Sequence, residues 1–530
     1  MAQGRRRGGA VMTIRIGAMA VGSAVLALGC MDLDQQEPPR EGVAALQIQS
    51  GARPETPRFI EGGSIPYVLG FSPETGQILG GSHTLLIPLT GTREAIDGAN
   101  LPTSLHPELR GSYVALNSSL LQGHSTGPFA SQWWPQNRNG IADRWNSAVK
   151  DYGDLTSDPD NLSPAEKYDL LFYAGQGRSL DAPAGAITLG VGRADGLRAP
   201  RATRVAGPTT YWELRNHGLY QGVTPEYWWG HCNGWAAYVV AEDGGPPQRD
   251  IRVKLSGGKV TTCASVETGC ILFRTADIEA LMTELYHSDS ATMSGRRCEA
   301  REDLVQRDQY GRPVDPACRD LNPGTMHIAM TGLLGLGASS ISSPSSARAR
   351  RAFVVDYTWH REVWSYPVTS FAIDTMAEVS AQEAARLVCN GGFQGADCYN
   401  YRFNPYARRF VRVSGRYGMV SDEVSPEQLL QPPAQRNIPV MNVELHYVLE
   451  LDDRLAVIGG EWIRNPALVN GINGKQLHPD YLWLPVRAQG PGEDADDLGG
   501  STDNPYIAYS RAKALLNLSR AAVTGSRPSE

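Results

Sequence analysis

The sequence predicts an α+β protein in which a cysteine-bearing helix packs on an antiparallel sheet, behind an N-terminal extension. Three observations point there. Gly234 to Ala241 (GWAAYVVA) has the small and aromatic residues of a buried helix, and Cys232 stands at its start. Ala352 to Tyr357, Val440 to Leu451 and Leu455 to Ile458 have strand composition, with Asp452-Asp453 as a hairpin turn between the last two. The 57 glycines and 35 prolines among 530 residues favour turns and irregular loops over a helical bundle. Hydrophobic residues at 41% and charged residues at 20% exclude a wholly disordered chain and a multispan membrane protein.

Residues 1–29 read as an export signal. Arg5, Arg6, Arg7 and Arg15 form a basic start, and Ile16 to Leu28 is an apolar stretch too short to span a bilayer. It ends Leu26-Ala27-Leu28-Gly29-Cys30, which resembles a bacterial lipobox with Cys30 as the lipidated residue. A plain secretory signal is the alternative. Removing this segment takes four arginines and no acid from a formal charge of −7, leaving −11. An acidic exported chain is a poor nucleic-acid binder, and that class is dropped. The localisation expected is a cell-envelope lipoprotein of the outer membrane, or otherwise a secreted protein.

Residues 30–60 are polar, proline-rich and aperiodic, as in a flexible tether. Residues 61–200 are read as an N-terminal domain and 201–530 as the catalytic domain, the boundary falling in the Gly/Ala/Arg-rich stretch Leu180 to Val205. Ser163-Pro164-Ala165-Glu166 opens a helix, with Ser163 as N-cap, Pro164 at the first helical position and Glu166 completing a capping box. Ala276 to His287 reads as an amphipathic surface helix, and Ile507 to Leu518 as a closing one.

Six cysteines fall into close pairs around turn-rich loops: Cys263 with Cys270, Cys298 with Cys318, and Cys389 with Cys398. In an oxidising compartment they read as local disulfides. With Cys30 given to the lipid, Cys232 is left as a lone thiol. A cysteine in the first turn of a helix feels the positive end of the helix dipole, which favours thiolate. The placement resembles that of papain-like and transglutaminase nucleophiles; an inert buried cysteine is the bland alternative. A thiolate nucleophile needs a histidine base and a group that orients it. His231 adjoins the thiol, but neighbours at a helix start point apart. His327 begins an apolar run after a turn, and Asp356 lies inside a strand-like run, where an acid is costly unless paired. Position alone leaves each balanced between a catalytic role and packing or capping.

Several segments resemble the oomycete transglutaminase elicitor family and its bacterial relatives. They are Trp133-Trp134-Pro135 with Asn139 to Asn146, Ser163 to Asp169, Trp212-Glu213-Leu214 to Asn216-His217-Gly218, Trp228 to Ala236, Asp356, Val363 to Phe371, Gly459 to Trp462, and His478 to Trp483. The resemblance implies a papain-like cysteine-proteinase core, with Cys232 as nucleophile, His327 as base and Asp356 as its orienting acid. The activity implied is protein-glutamine γ-glutamyl transfer: the thiolate takes a glutamine acyl group as a thioester and passes it to a lysine or other amine. Trp228, Trp229 and Trp235 are candidates for keeping water from the sulfur. A thiol protease or protein-glutamine deamidase on the same core is the alternative, and a surface recognition lipoprotein with a vestigial triad is the second. No cofactor is required by this chemistry. Ca2+ is the one metal weighed, because Glu493, Asp494, Asp496 and Asp497 form an acidic run; its spacing is no EF-hand, and a solvated loop is the stronger reading.

Overall fold

The computed structural model describes residues 58–59, 96, 98–109, 121–125, 127–148, 159–174, 176, 178–179, 205–263, 269–287, 290–298, 300, 304–308, 312–336, 351–359, 362–389, 398, 401–438, 440–463, 478–485 and 504–521. The export signal, Cys30, nearly all of the tether, the expected boundary near 200 and the acidic run at 493–497 lie outside these residues.

The main helices are α1 Pro164–Phe172, α2 Pro208–Asn216, α3 Cys232–Ala241, α4 Thr275–Leu285, α5 Pro323–Ala329, α6 Ala381–Val388 and α7 Tyr509–Arg520. The strands are β1 Gln122–His124, β2 Ile251–Ser256, β3 Lys259–Thr262, β4 Ile271–Phe273, β5 Ala291–Gly295, β6 Phe353–Trp359, β7 Glu362–Val379, β8 Arg409–Met419, β9 Met441–Leu451, β10 Val457–Trp462 and β11 Tyr481–Pro485. Strands β2, β3 and β4 form a small separate sheet.

The main sheet runs β10-β9-β8-β7-β6-β11-β5, with each of these neighbours antiparallel; off this path β1 pairs antiparallel with β7, and Arg58–Phe59 pairs parallel with it. Its pivot is β7, 18 residues long. The first part of β7 pairs with β6, and the rest pairs with β8 across two register shifts. Such breaks bend a strand and increase its twist, so the sheet curls into a half-barrel. The fold is α+β as expected, with the cysteine helix against the sheet, but the papain-like core is not what forms. The histidine that such a core would carry on a strand, His327, lies on α5 instead.

Side-chain alternation shows how the sheet divides the core. Val354, Tyr481 and Trp483 join one apolar cluster with α1, α3, α4 and α7. Phe353, Val355, Tyr357, Leu482 and Leu484 join a second cluster with α5. Successive strand residues face opposite ways, so β6 and β11 are apolar on both faces, with Asp356 the one acid among them.

The helices are fixed by local caps and buried pairs. The Ser163/Glu166 capping box forms as read. Glu166 also takes two bonds from the Arg144 guanidinium, with both side chains buried. Asp169 accepts from the Thr209 and Thr210 backbone N–H groups, each at 2.9 Å, and so caps α2 from another helix. Helix α4 is buried on every side rather than amphipathic on the surface. Its charges survive there because each has a partner: Asp277 pairs with Lys167 and Glu279 with Arg436, while Glu284 faces histidines. Removing one member of a buried pair strands the other charge. Arg144→Ala is therefore expected to lower stability by about 3–5 kcal/mol, read as a shift in the denaturant midpoint. A loss below about 1 kcal/mol, the range of a surface pair, would show that Glu166 does not depend on this partner.

The three cysteine pairs read from sequence are disulfides. Cys263 is bonded to Cys270, Cys298 to Cys318, and Cys389 to Cys398. The bond from Cys263 to Cys270 ties the end of β3 to the start of β4, and so closes the loop between two strands of the small sheet. Cys389 follows directly on α6, and its bond to Cys398 holds the chain that leaves this helix. The bond from Cys298 to Cys318 joins the segment after β5 to the one before α5. Three such bonds suit an extracellular, oxidising setting. Among the described residues, no helix is long and apolar enough to cross a membrane.

Candidate functional site

The start of α3 is built by two segments that clasp each other. His231 N–H donates to Trp133 O at 2.7 Å, and Gln136 N–H donates to Trp229 O at 2.8 Å. Gly230 lies directly under Trp133, where a Cβ would come within 2.2 Å of the indole ring. One turn on, a Cβ on Gly234 would meet Thr283 O at 2.3 Å, so α3 presses on the α4 backbone. The glycines on either side of Cys232 are thus required by close packing.

Cys232 is the first residue of α3 and fully buried, in the second apolar cluster with Trp133 and Trp228. It is half of a disulfide, which corrects the expectation of a lone thiol. Cys263, Cys270, Cys298, Cys318, Cys389 and Cys398 pair among themselves, so its partner lies outside the described residues. Counting cysteines leaves Cys232 odd only if Cys30 is given to a lipid.

The three tryptophans separate. Trp228 is in the Cys232 cluster and donates to Glu226 Oε2 at 2.8 Å, and half-buried Trp229 packs beside it edge to face. Trp235 belongs to the other cluster, with its indole N–H on Phe129 O. Asn233 donates to His287 O and ties α3 to the end of α4.

His327 is fully buried, with Nδ1 2.8 Å from the Tyr447 hydroxyl and no hydrogen-bond partner at Nε2. Burial pulls its pKa down to about 4, leaving the ring neutral at pH 7. Asp356 lies on β6 with the parity of Val354, beside Tyr481 and Trp483, and its Oδ1 accepts from Trp483 Nε1 at 2.9 Å. Helix α5 packs on the other face of the sheet. The structure therefore does not bring His327 and Asp356 together: no described hydrogen bond joins them, and the orienting partner on His327 is Tyr447.

Burial pushes the Asp356 carboxyl up to about 7, against hydrogen bonds from Tyr481, Trp483 and Ser365 and the charge of Arg297. A folded pKa above the unfolded one gives stability that is present below the unfolded value and lost as pH rises through the folded value. Relative to wild type, Asp356→Asn is therefore expected to gain stability between pH 4 and pH 8, by up to about 4 kcal/mol. His327 acts in the opposite sense, its contribution being lost as pH falls from 6.5 towards 4. Denaturant unfolding of both proteins across pH 4–8 checks this; a difference that stays flat would mean that Asp356 titrates in its ordinary range.

A second polar group forms behind Cys232, on the other side of the helix start. Glu213 and His217 project from α2, His231 stands at the N-terminal boundary of α3, and Glu284 and His287 come from the end of α4; all five are buried. His231 Nε2 lies 2.9 Å from Glu284 Oε2, 3.1 Å from His217 Nδ1 and 3.6 Å from Glu213 Oε1. His217 Nδ1 lies 3.3 Å from Glu284 Oε1 and 3.5 Å from Glu213 Oε2. Burial, then the charge of Glu284, raises the Glu213 pKa. Burial opposes ionisation of Glu284, yet the charges of His217 and His231 hold its carboxyl well below the usual range. For His217 burial acts downward, but Glu284 and Glu213 carry it up to about 10. Burial, together with the charges of His231 and His217, drives His287 well down.

Sequence reasoning misses this group. Its signal lies in the spacings Glu213-x3-His217, which puts an acid and an imidazole on one helix face, and Glu284-x2-His287, which brings them together at a helix end. By sequence alone His287 reads as the end of a surface helix.

The family model described as Transglutaminase elicitor matches residues 213–501, more than half of the chain. A comparison with curated proteins finds no match. Among solved structures, the chain is similar to the crystal structure of the GP42 transglutaminase from Phytophthora sojae. That likeness has 19% identity and a TM-score of 0.48, and covers 80% of this chain and 98% of the other.

Proposed function

This chain belongs to the transglutaminase elicitor family, and on that premise we propose that it is a protein-glutamine γ-glutamyltransferase with Cys232 as its nucleophile. The observation that carries this reading is the position of Cys232, first in helix α3 and inside the matched segment. There the N–H groups of the first turn, which have no acceptor within the helix, favour a thiolate and can stabilise the oxyanion of a tetrahedral intermediate. The reacting form is the reduced thiol, so turnover follows opening of the Cys232 disulfide.

In the proposed reaction the Cys232 sulfur attacks the carboxamide carbon of a glutamine side chain. A base takes the thiol proton and returns it to the departing ammonia, leaving a thioester. The amino group of a lysine or small amine then attacks the thioester, gives up a proton and releases the sulfur. His327 is the proposed base: it is neutral at pH 7, its Nδ1 is held by Tyr447, and its Nε2 has no hydrogen-bond partner. The orienting role that the resemblance gives Asp356 falls in this reading to Tyr447. Trp228 and Trp229 are the proposed aromatic wall. A lipid anchor at Cys30 is the alternative to the Cys232 disulfide, because Cys30 is the one cysteine of the sequence outside the three pairs and Cys232.

The test is incorporation of dansylcadaverine into casein, measured beside ammonia release. A transferase couples the two. Ammonia released with no amine incorporated would identify a deamidase.

A further inference from the structure

Acyl transfer makes no use of the three histidines and two glutamates buried behind Cys232. We propose that Glu213, His217, His231 and Glu284 bind one divalent first-row transition-metal ion, with His287 at the edge of the site and zinc as the occupant that the donor set fits best.

The geometry is that of a coordination shell. One ligand atom from each of Glu213, His217, His231 and Glu284 lies within 4.8 Å of all the others, and His287 meets the same condition with the two other histidines. The closest donor separations run from 2.9 to 3.6 Å. A tetrahedron with zinc bonds of about 2.0–2.1 Å has edges of about 3.3–3.4 Å. The donors therefore stand about as far apart as ligands on a single small cation.

Tautomer chemistry points the same way. His231 Nδ1 lies 2.9 Å from Trp134 O, which can only accept, so Nδ1 carries the proton. A cation between His231 Nε2 and the Glu284 carboxylate, 2.9 Å apart, would bond to both. An imidazole held through its far nitrogen by a carbonyl is the usual arrangement of a metal-ligating histidine. Glu213 Oε2 and Glu284 Oε2 are buried without a hydrogen bond, each meeting only an imidazole nitrogen, at 3.5 and 2.9 Å. One ion among these four side chains would satisfy both carboxylates. Two carboxylates neutralise a divalent charge, which suits a site closed to solvent. Calcium, which takes six to eight oxygen ligands, does not suit a set with two imidazoles.

The surroundings support the ligands. Ile141 N–H donates to Glu213 Oε1 at 3.0 Å, and a Cβ on Gly140 would collide with that same oxygen. The site thus joins α2, the start of α3 and the end of α4 immediately behind the nucleophile. Being closed, it has a structural role.

The readout is metal content and needs no enzyme activity, so it stands or falls separately from acyl transfer. Elemental analysis of the purified full chain, prepared without chelator, is expected to give about one zinc per chain. After chelator treatment under denaturing conditions and refolding with Co2+, the protein is expected to show the visible d–d absorption of four- or five-coordinate cobalt. The size-conserving double variant Glu213→Gln/Glu284→Gln is expected to bind Zn2+ at least about 100-fold more weakly, since even second-shell changes reach that figure. If that variant does not fold, His217→Ala, which removes one ligand, should show the altered cobalt spectrum in its place. Wild-type protein with no first-row metal and no cobalt spectrum overturns the site. So does calcium as the sole bound metal, or a double variant that folds and holds zinc as tightly as wild type.

Discussion

Cys232→Ala is expected to lose amine incorporation and ammonia release together, down to background, in protein that still folds. No other described cysteine can replace it, because the remaining six are engaged in pairs with one another. The wild type should itself respond to reductant. With Cys232 in a disulfide, oxidised protein has no thiolate to offer and should start almost inactive. Mild thiol treatment should switch it on, while the Cys232→Ala protein stays silent under the same treatment. The fold should tolerate the substitution, since the start of α3 is held by the His231–Trp133 and Gln136–Trp229 backbone bonds rather than by the sulfur. Amine incorporation persisting in Cys232→Ala would remove the nucleophile and, with it, the reading of the chain as a thioester-forming enzyme.

What is legible in the sequence is local. The Ser163/Glu166 capping box and the helix start at Cys232 each depend on residues close in the chain, and each is found. The same holds for the disulfides, whose partners Cys270, Cys318 and Cys398 follow Cys263, Cys298 and Cys389 by 7, 20 and 9 residues. The strands around Val354 and Leu445 are visible in composition. Their order is not, because it depends on where β7 bends, and that is decided by pairing between distant strands. Helix α2 escapes notice because its cap is the Asp169 side chain, which no local pattern reveals. Asn322 and Pro323, a cap and a first-position proline, do signal α5, but a turn followed by an apolar run fits strand and helix alike. The buried charges of α4 are hardest to place. Asp277, Glu279 and Glu284 look like a solvated face until Lys167, Arg436 and His231 are brought to them by the fold.

His327 and His231 are expected to fail in different ways, and that contrast tests the choice of base. His327→Ala should lower kcat for amine incorporation by orders of magnitude, since the thiol would lose its proton acceptor and ammonia its donor. Tyr447→Phe removes the hydroxyl on Nδ1 but keeps the ring, and should cost less, about tenfold, through a less well-held imidazole. His231→Ala should instead show first as lost stability. That ring is fully buried, tied to Trp134 O and set 2.9 Å from Glu284, so its removal strands a buried carboxylate. The measurements are kcat and KM with a denaturation curve for each variant, so that loss of chemistry and loss of fold are read separately. Asp356→Asn is the deciding comparison. On the other face of the sheet from α5, it should spare kcat more than Tyr447→Phe does. If Asp356→Asn abolishes turnover in folded protein while Tyr447→Phe leaves it intact, the orienting group is the acid and not the tyrosine. His327 would then have to give up the role of base to a histidine that Asp356 can reach.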